Sequence, residues 1–113
     1  MSMRLPKAFS TNAEDPVSAA LQQEILVEKA DTLARLNKKL EAALKRIPDV
    51  GAEASEVERE QLDQRIAEAG EALWHVTIQR ELCGLNRHNT FFDHMRVPLA
   101  VRLRAGPLPP KKT

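Results

Sequence analysis

Ile47-Pro48-Asp49-Val50-Gly51-Ala52-Glu53-Ala54-Ser55-Glu56-Val57-Glu58 separates two long stretches of helical periodicity. Pro48 cannot continue a helix, because its ring removes an amide donor and collides with the preceding turn. A few residues later Ser55-Glu56-Val57-Glu58 has the form of a capping box. The Ser55 hydroxyl accepts from the amide three residues on, and Glu58 reaches back to the cap. A stop followed so soon by a fresh start predicts that the two flanking helices fold back on each other as an antiparallel hairpin.

Upstream, Asp15-Pro16 is a helix start: Asp is a preferred N-cap, and proline at the first helical position sacrifices no hydrogen bond. Leu21, Ile25, Leu26, Leu33, Leu36, Leu40, Leu44 and Ile47 then follow helical spacing. The first helix is expected over about residues 16–46, about 46 Å long. Downstream of the break, Leu62, Ile66, Ala69, Leu73 and Val76 step by four and three up to Gly84, a natural residue just past a helix end. That places the second helix at about 56–83, about 42 Å long. The first helix ends basic, with Lys38, Lys39, Lys45 and Arg46. The second begins acidic, with Glu53, Glu56, Glu58 and Glu60. Each set suits its own helix dipole. In a hairpin of matched helices the two sets are expected side by side.

Beyond Gly84 the texture changes. Asn86 is placed to cap a short helix over about 87–95. Val97-Pro98 forces one extended residue and permits a last helix over about 98–104, which Gly106-Pro107 ends. The expected organisation is a flexible N-terminal segment (1–14), one all-α helical domain (15–106) and a flexible basic tail (107–113).

Composition agrees. The 113 residues suffice for one domain with a modest core. Hydrophobic residues make up 42% and charged residues 29%, too apolar for wholesale disorder. Aromatics are only 4%, so the core must be aliphatic, which suits helix-on-helix packing better than a β-sandwich. A single cysteine, Cys83, excludes an internal disulfide. No apolar run resembles a signal peptide or reaches the roughly 20 residues needed to cross a bilayer. A cytoplasmic protein with no membrane association is expected.

A two-helix hairpin leaves much of each apolar stripe facing water, and ordering each residue costs about 1–2 kcal/mol of backbone entropy. Leu21, Ile25, Leu33, Leu36, Leu40, Leu62, Ile66, Leu73, Trp74 and Val76 are therefore candidate interface residues. The C-terminal helices can cover part of the stripe through Phe91, Phe92, Leu99, Val101 and Leu103. A second copy can cover the rest by completing a four-helix bundle, and a different helical protein is the alternative partner. Arg80 and Glu81 sit beside the seam where aliphatic residues are expected. They form a candidate pair that fixes the hairpin register, with Asp31, Glu28 or Glu24 as opposite charges.

Chemistry is thinly represented. His88 and His94 are six apart, nearly on opposite faces of a continuous helix, and Glu71–His75 spacing is common by chance, so no metal is assigned. Cys83 closes the last turn of a helix and reads as a small hydrophobe rather than a reactive thiol. Four scattered glycines make no nucleotide loop, and no nucleophile elbow occurs. No cofactor or catalytic residue is assigned. Charge is unevenly distributed: residues 1–83 carry 11 Lys/Arg against 15 Asp/Glu, a net of −4. Residues 84–113 carry six Lys/Arg against Asp93, a net of +5. Arg87, Arg96, Arg102 and Arg104 are thus candidates for a basic patch, and the last two short helices superficially resemble a helix-turn-helix.

The stretch Glu71-Ala72-Leu73-Trp74-His75-Val76-Thr77-Ile78-Gln79-Arg80-Glu81-Leu82-Cys83-Gly84-Leu85, with Val97-Pro98 further on, resembles a family of small bacterial helical proteins described as a domain of unknown function. The resemblance covers about the C-terminal third and part of the second helix. It implies a bacterial, cytoplasmic protein and brings no activity, cofactor or site residue. The reading that follows is a non-enzymatic helical interaction or scaffold protein, self-associating through aliphatic helix faces. The alternative is a nucleic-acid-associated accessory protein using the basic C-terminal segment.

Overall fold

The computed structural model describes residues 15–107. The expected 1–14 segment, and residues 108–113 of the expected tail, lie outside the described residues. Among the described residues four helices appear in order: α1 (Pro16–Lys45), α2 (Glu56–Leu82), α3 (His88–His94) and α4 (Leu99–Leu103). No strand occurs among the described residues.

The helix ends form for local reasons. Asp15 accepts from the Val17 amide and the Ser18 hydroxyl, both at 3.1 Å, with Pro16 in the first turn. The capping box at Ser55 is complete: Ser55 Oγ accepts from the Glu58 amide at 3.2 Å, and Glu58 accepts from the Ser55 amide at 2.9 Å. Donation from the Ser55 backbone amide, with a further contribution from the Ser55 side chain, holds the Glu58 carboxyl below its ordinary pKa. α2 ends in a Schellman motif. Gly84 takes φ +80, its amide bonds the Glu81 carbonyl at 3.0 Å, and the Leu85 amide bonds the Arg80 carbonyl at 2.8 Å. α3 ends the same way, but with Arg96 in the left-handed position at φ 56. The Arg96 amide bonds Asp93 O and the Val97 amide bonds Phe92 O. A side chain there costs about 1 kcal/mol that glycine would not.

Three expectations change in detail. α3 starts at His88 rather than at residue 87. Arg87 occupies the cap position with no side-chain bond, and the Asn86 carbonyl accepts from the His88 amide. Pro98 is the cap of α4 rather than its first residue, and its carbonyl accepts from Val101 and Arg102. The larger correction concerns the hairpin. α1 and α2 are antiparallel neighbours, but they are staggered rather than flush. Lys29 marks the end of the overlap: its carbonyl accepts from Gln79 Nε2 at 3.2 Å, and its ammonium reaches the Leu82 carbonyl at 3.3 Å. Residues 16–28 therefore project past the end of α2 as an arm about 20 Å long. At the other end, Arg46 borders the same groove as Arg65, Glu68 and Glu71. The first turns of α2 thus lie beyond the end of α1, where Arg46 of the basic set shares a second groove with Val57 and with Glu60 of the acidic set.

The core is Leu40 and Ala43 of α1, Ala69, Leu73 and Val76 of α2, then Val97 and Val101. Leu40, Leu73, Val76 and Val101 are fully buried. α4 is the third wall, lying along α2 and closing one face of the hairpin. Gly70 permits its approach. A Cβ built there would lie 2.8 Å from the Arg104 carbonyl carbon and closer still to its oxygen. The elongated result measures 73 × 26 × 25 Å.

Candidate interaction site

The arm of α1 carries large apolar side chains that no other described residue covers. Leu21 is 55% exposed, Ile25 52% and Leu26 60%. They follow the spacing that buries Leu33, Leu36 and Leu40 further along the helix, yet α2 ends before reaching them. Stretches of this kind on a small monomer mark interaction surfaces.

The face of the hairpin away from α4 holds a groove of about 440 Å³ between α1 and α2. Its floor is Leu36, Ala42, Ala43 and Ala72; its rim includes Lys39, Arg46, Arg65, Glu68, Glu71 and His75. Arg65 Nη1 lies 3.0 Å from Glu68 Oε1, and Gln64 also donates to Glu68. Those two hydrogen bonds, Arg65 first, hold the Glu68 carboxyl below its ordinary pKa, with a smaller contribution from Arg46.

The ten candidate interface residues divide by environment. Leu40, Leu73 and Val76 are fully buried inside one chain, and Leu33, Leu36 and Ile66 pack partly against that core. Leu62 and Trp74 are half-buried, with the Trp74 ring centroid 5.3 Å from that of His75. Leu21 and Ile25 alone of the ten are exposed.

Arg80 and Glu81 turn toward α3, not toward the first turns of α1. The Arg80 guanidinium lies 4.3 Å from the Phe91 ring centroid, donates to His88 Nδ1 at 3.4 Å and reaches the Arg87 carbonyl at 3.3 Å. His88 Nε2 lies 3.1 Å from Glu81 Oε2. One imidazole accepting at Nδ1 and donating at Nε2 bridges the pair. The corner joins α2 to α3, and none of these contacts reaches α1. Arg80→Met should loosen α3 by about 1–2 kcal/mol, through the lost cation–π contact and hydrogen bonds. Amide exchange should quicken in residues 88–94 while the oligomeric state stays put. A changed oligomeric state with α3 still protected would return Arg80 to the register role.

The basic-patch candidates also divide. Arg102 lies over the Phe92 ring at 5.5 Å, donates to the Val97 carbonyl at 2.9 Å and pairs with Asp93 at 3.1 Å. Arg104 reaches back to Asp63 of α2 at 2.7 Å. Both clamp α4 in place. Arg87 and Arg96 are exposed at the two ends of α3. No cluster of three or more metal-ligating side chains occurs among the described residues. Cys83 is half-buried at the cap of α2, its sulfur 3.8 Å from the Lys29 carbonyl. No described helix is long and apolar enough to cross a membrane.

A sequence model of a family of unknown function, DUF6665, matches residues 2–111. The chain belongs to this family. The match spans the whole of α1 as well as the C-terminal stretch that carries the resemblance. No curated protein and no solved structure matches the chain. Membership of DUF6665 therefore brings no activity, and any functional reading rests on the surfaces just described.

Three features of this DUF6665 chain escaped the sequence reading. Gly70 had a signal, a glycine inside an otherwise regular helical pattern, which marks a close approach. His88 as the bridge between Arg80 and Glu81 had none, because it depends on the turn at Gly84. The buried Asn37 Oδ1, which has no hydrogen-bond partner among the described residues, could not be found without the packing around it.

Proposed function

We propose that this protein is a non-enzymatic helical interaction or scaffold protein that self-associates through the aliphatic face of α1. The observation that carries this reading is the arm at residues 16–28, whose Leu21, Ile25 and Leu26 are more than half exposed. A lone helix of that length is marginal in water, since nucleation is costly and packing supplies most helical stability. A second copy that covers the arm removes both costs. The resemblance to bacterial helical proteins and the single free thiol of Cys83 support a bacterial, cytoplasmic setting. The nucleic-acid reading loses support, because Arg102 and Arg104 are held by Asp93, Val97 and Asp63.

Light scattering coupled to size exclusion, across a hundredfold dilution, tests the proposal. The wild type should run as a dimer. Leu21→Asp with Ile25→Asp should run as a monomer of unchanged core stability, because neither residue touches the core cluster. A monomeric wild type at every concentration would sink the self-association reading.

A further inference from the structure

α1 is a charge dipole along its length. Residues 15–31 carry Asp15, Glu24, Glu28 and Asp31 against Lys29, a net of −3. Residues 32–46 carry Arg35, Lys38, Lys39, Lys45 and Arg46 against Glu41, a net of +4. The side chains of Glu24, Glu28, Arg35 and Lys39 are exposed. The spacing also aligns two features: Leu21 and Ile25 lie on the same side of α1 as Leu36, Lys39 and Ala43, stepping by threes and fours. The exposed edge of the arm and the α1 wall of the open groove are therefore one continuous stripe, acidic and apolar at one end, basic at the other.

We infer that two copies exchange arms reciprocally: the arm of each chain lies antiparallel in the α1–α2 groove of its partner, with the two-fold axis near Thr32. This inference rests on the self-association reading and specifies its geometry. Antiparallel pairing sets the acidic half of each α1 against the basic half of the other, whereas parallel pairing sets like against like. The groove from Leu36 to Arg46 is about 15 Å long, close to the 20 Å of the arm. Its alanine floor lets a helix approach closely, and α4 closes the opposite face only. A two-fold axis makes the contact twice, which matters because stable interfaces begin at about 1,200 Å² of total buried area.

Charge exchange tests this geometry. One variant carries Glu24→Lys with Glu28→Lys; the other carries Arg35→Glu with Lys39→Glu. All four residues are exposed, and helical circular dichroism checks that both variants fold. Each variant alone should dimerise at least about tenfold more weakly than the wild type, since both of its reciprocal contacts become like-charged. An equimolar mixture should form a heterodimer within about threefold of wild-type affinity, because both contacts then pair opposite charges. The wild-type dimer should weaken as salt is raised. Two variants that still dimerise like the wild type would overturn the arm-in-groove geometry and leave self-association standing. A mixture no tighter than its components would also overturn it.

Discussion

Gly70→Ala is expected to lower the melting temperature by roughly 10 °C or more, against the direction that helix propensity alone predicts. Gly70 lies inside α2, where replacing glycine by alanine normally gains about 1 kcal/mol. Here the new methyl meets backbone. It would stand 2.8 Å from the Arg104 carbonyl carbon, nearer still to the carbonyl oxygen, and 3.0 Å from the Arg104 Cβ. None of these atoms belongs to the far end of a flexible side chain, so the end of α4 must move. Moving it pulls Arg104 from Asp63 and disturbs Val101, which is fully buried. Overpacking of this sort costs about 1–3 kcal/mol, and the lost clamp adds to it. For a domain of this size each kcal/mol is worth about 4–8 °C. Thermal unfolding followed by circular dichroism decides the sign. A raised melting temperature would mean that α4 is not seated on α2 at Gly70.

The same glycine shows where sequence reading reaches its limit. The two long helices were legible because their signals are local: Asp15-Pro16, the complete Ser55 capping box and Gly84 at its left-handed position each act within a few residues. The short helices were legible to within a residue for the same reason. The stagger of the hairpin was not, because periodicity fixes which face of a helix is apolar and says nothing of how far it slides along its neighbour. The offset is set by contacts 50 or more residues apart, such as Gln79 with the Lys29 carbonyl. Arg102 and Arg104 show a related limit of local pattern. A cluster of arginines in sequence resembles a basic patch until the fold supplies Asp93, Asp63 and carbonyls to engage them. The arm, by contrast, was half legible. Leu21 and Ile25 were expected at an interface and are exposed. Nothing in the stripe distinguished them from Leu40, about five helical turns along the same unbroken pattern.

Leu73→Ala and Leu21→Ala should separate those two halves of the pattern most sharply. Leu73 is fully buried: it is 0% accessible and lies in the core beside Leu40, Val76 and Val101. Truncating it removes apolar burial and leaves a cavity between α1, α2 and α4, which cannot collapse easily because Gly70 and the Arg104–Asp63 pair already hold α4 against α2. The expected cost is about 3–4 kcal/mol, within the range for buried leucines. In so small a core that is a large share of the total stability, typically about 5–15 kcal/mol. Leu21→Ala removes a side chain that is 55% exposed, and its cost in dilute protein should stay below about 0.5 kcal/mol. Its effect should grow with protein concentration, because in the proposed dimer the side chain is buried only when a second copy arrives. Urea melts of both variants at two concentrations a hundredfold apart provide the check. A Leu73→Ala cost that depends on concentration while that of Leu21→Ala does not would reverse the assignment of core and interface.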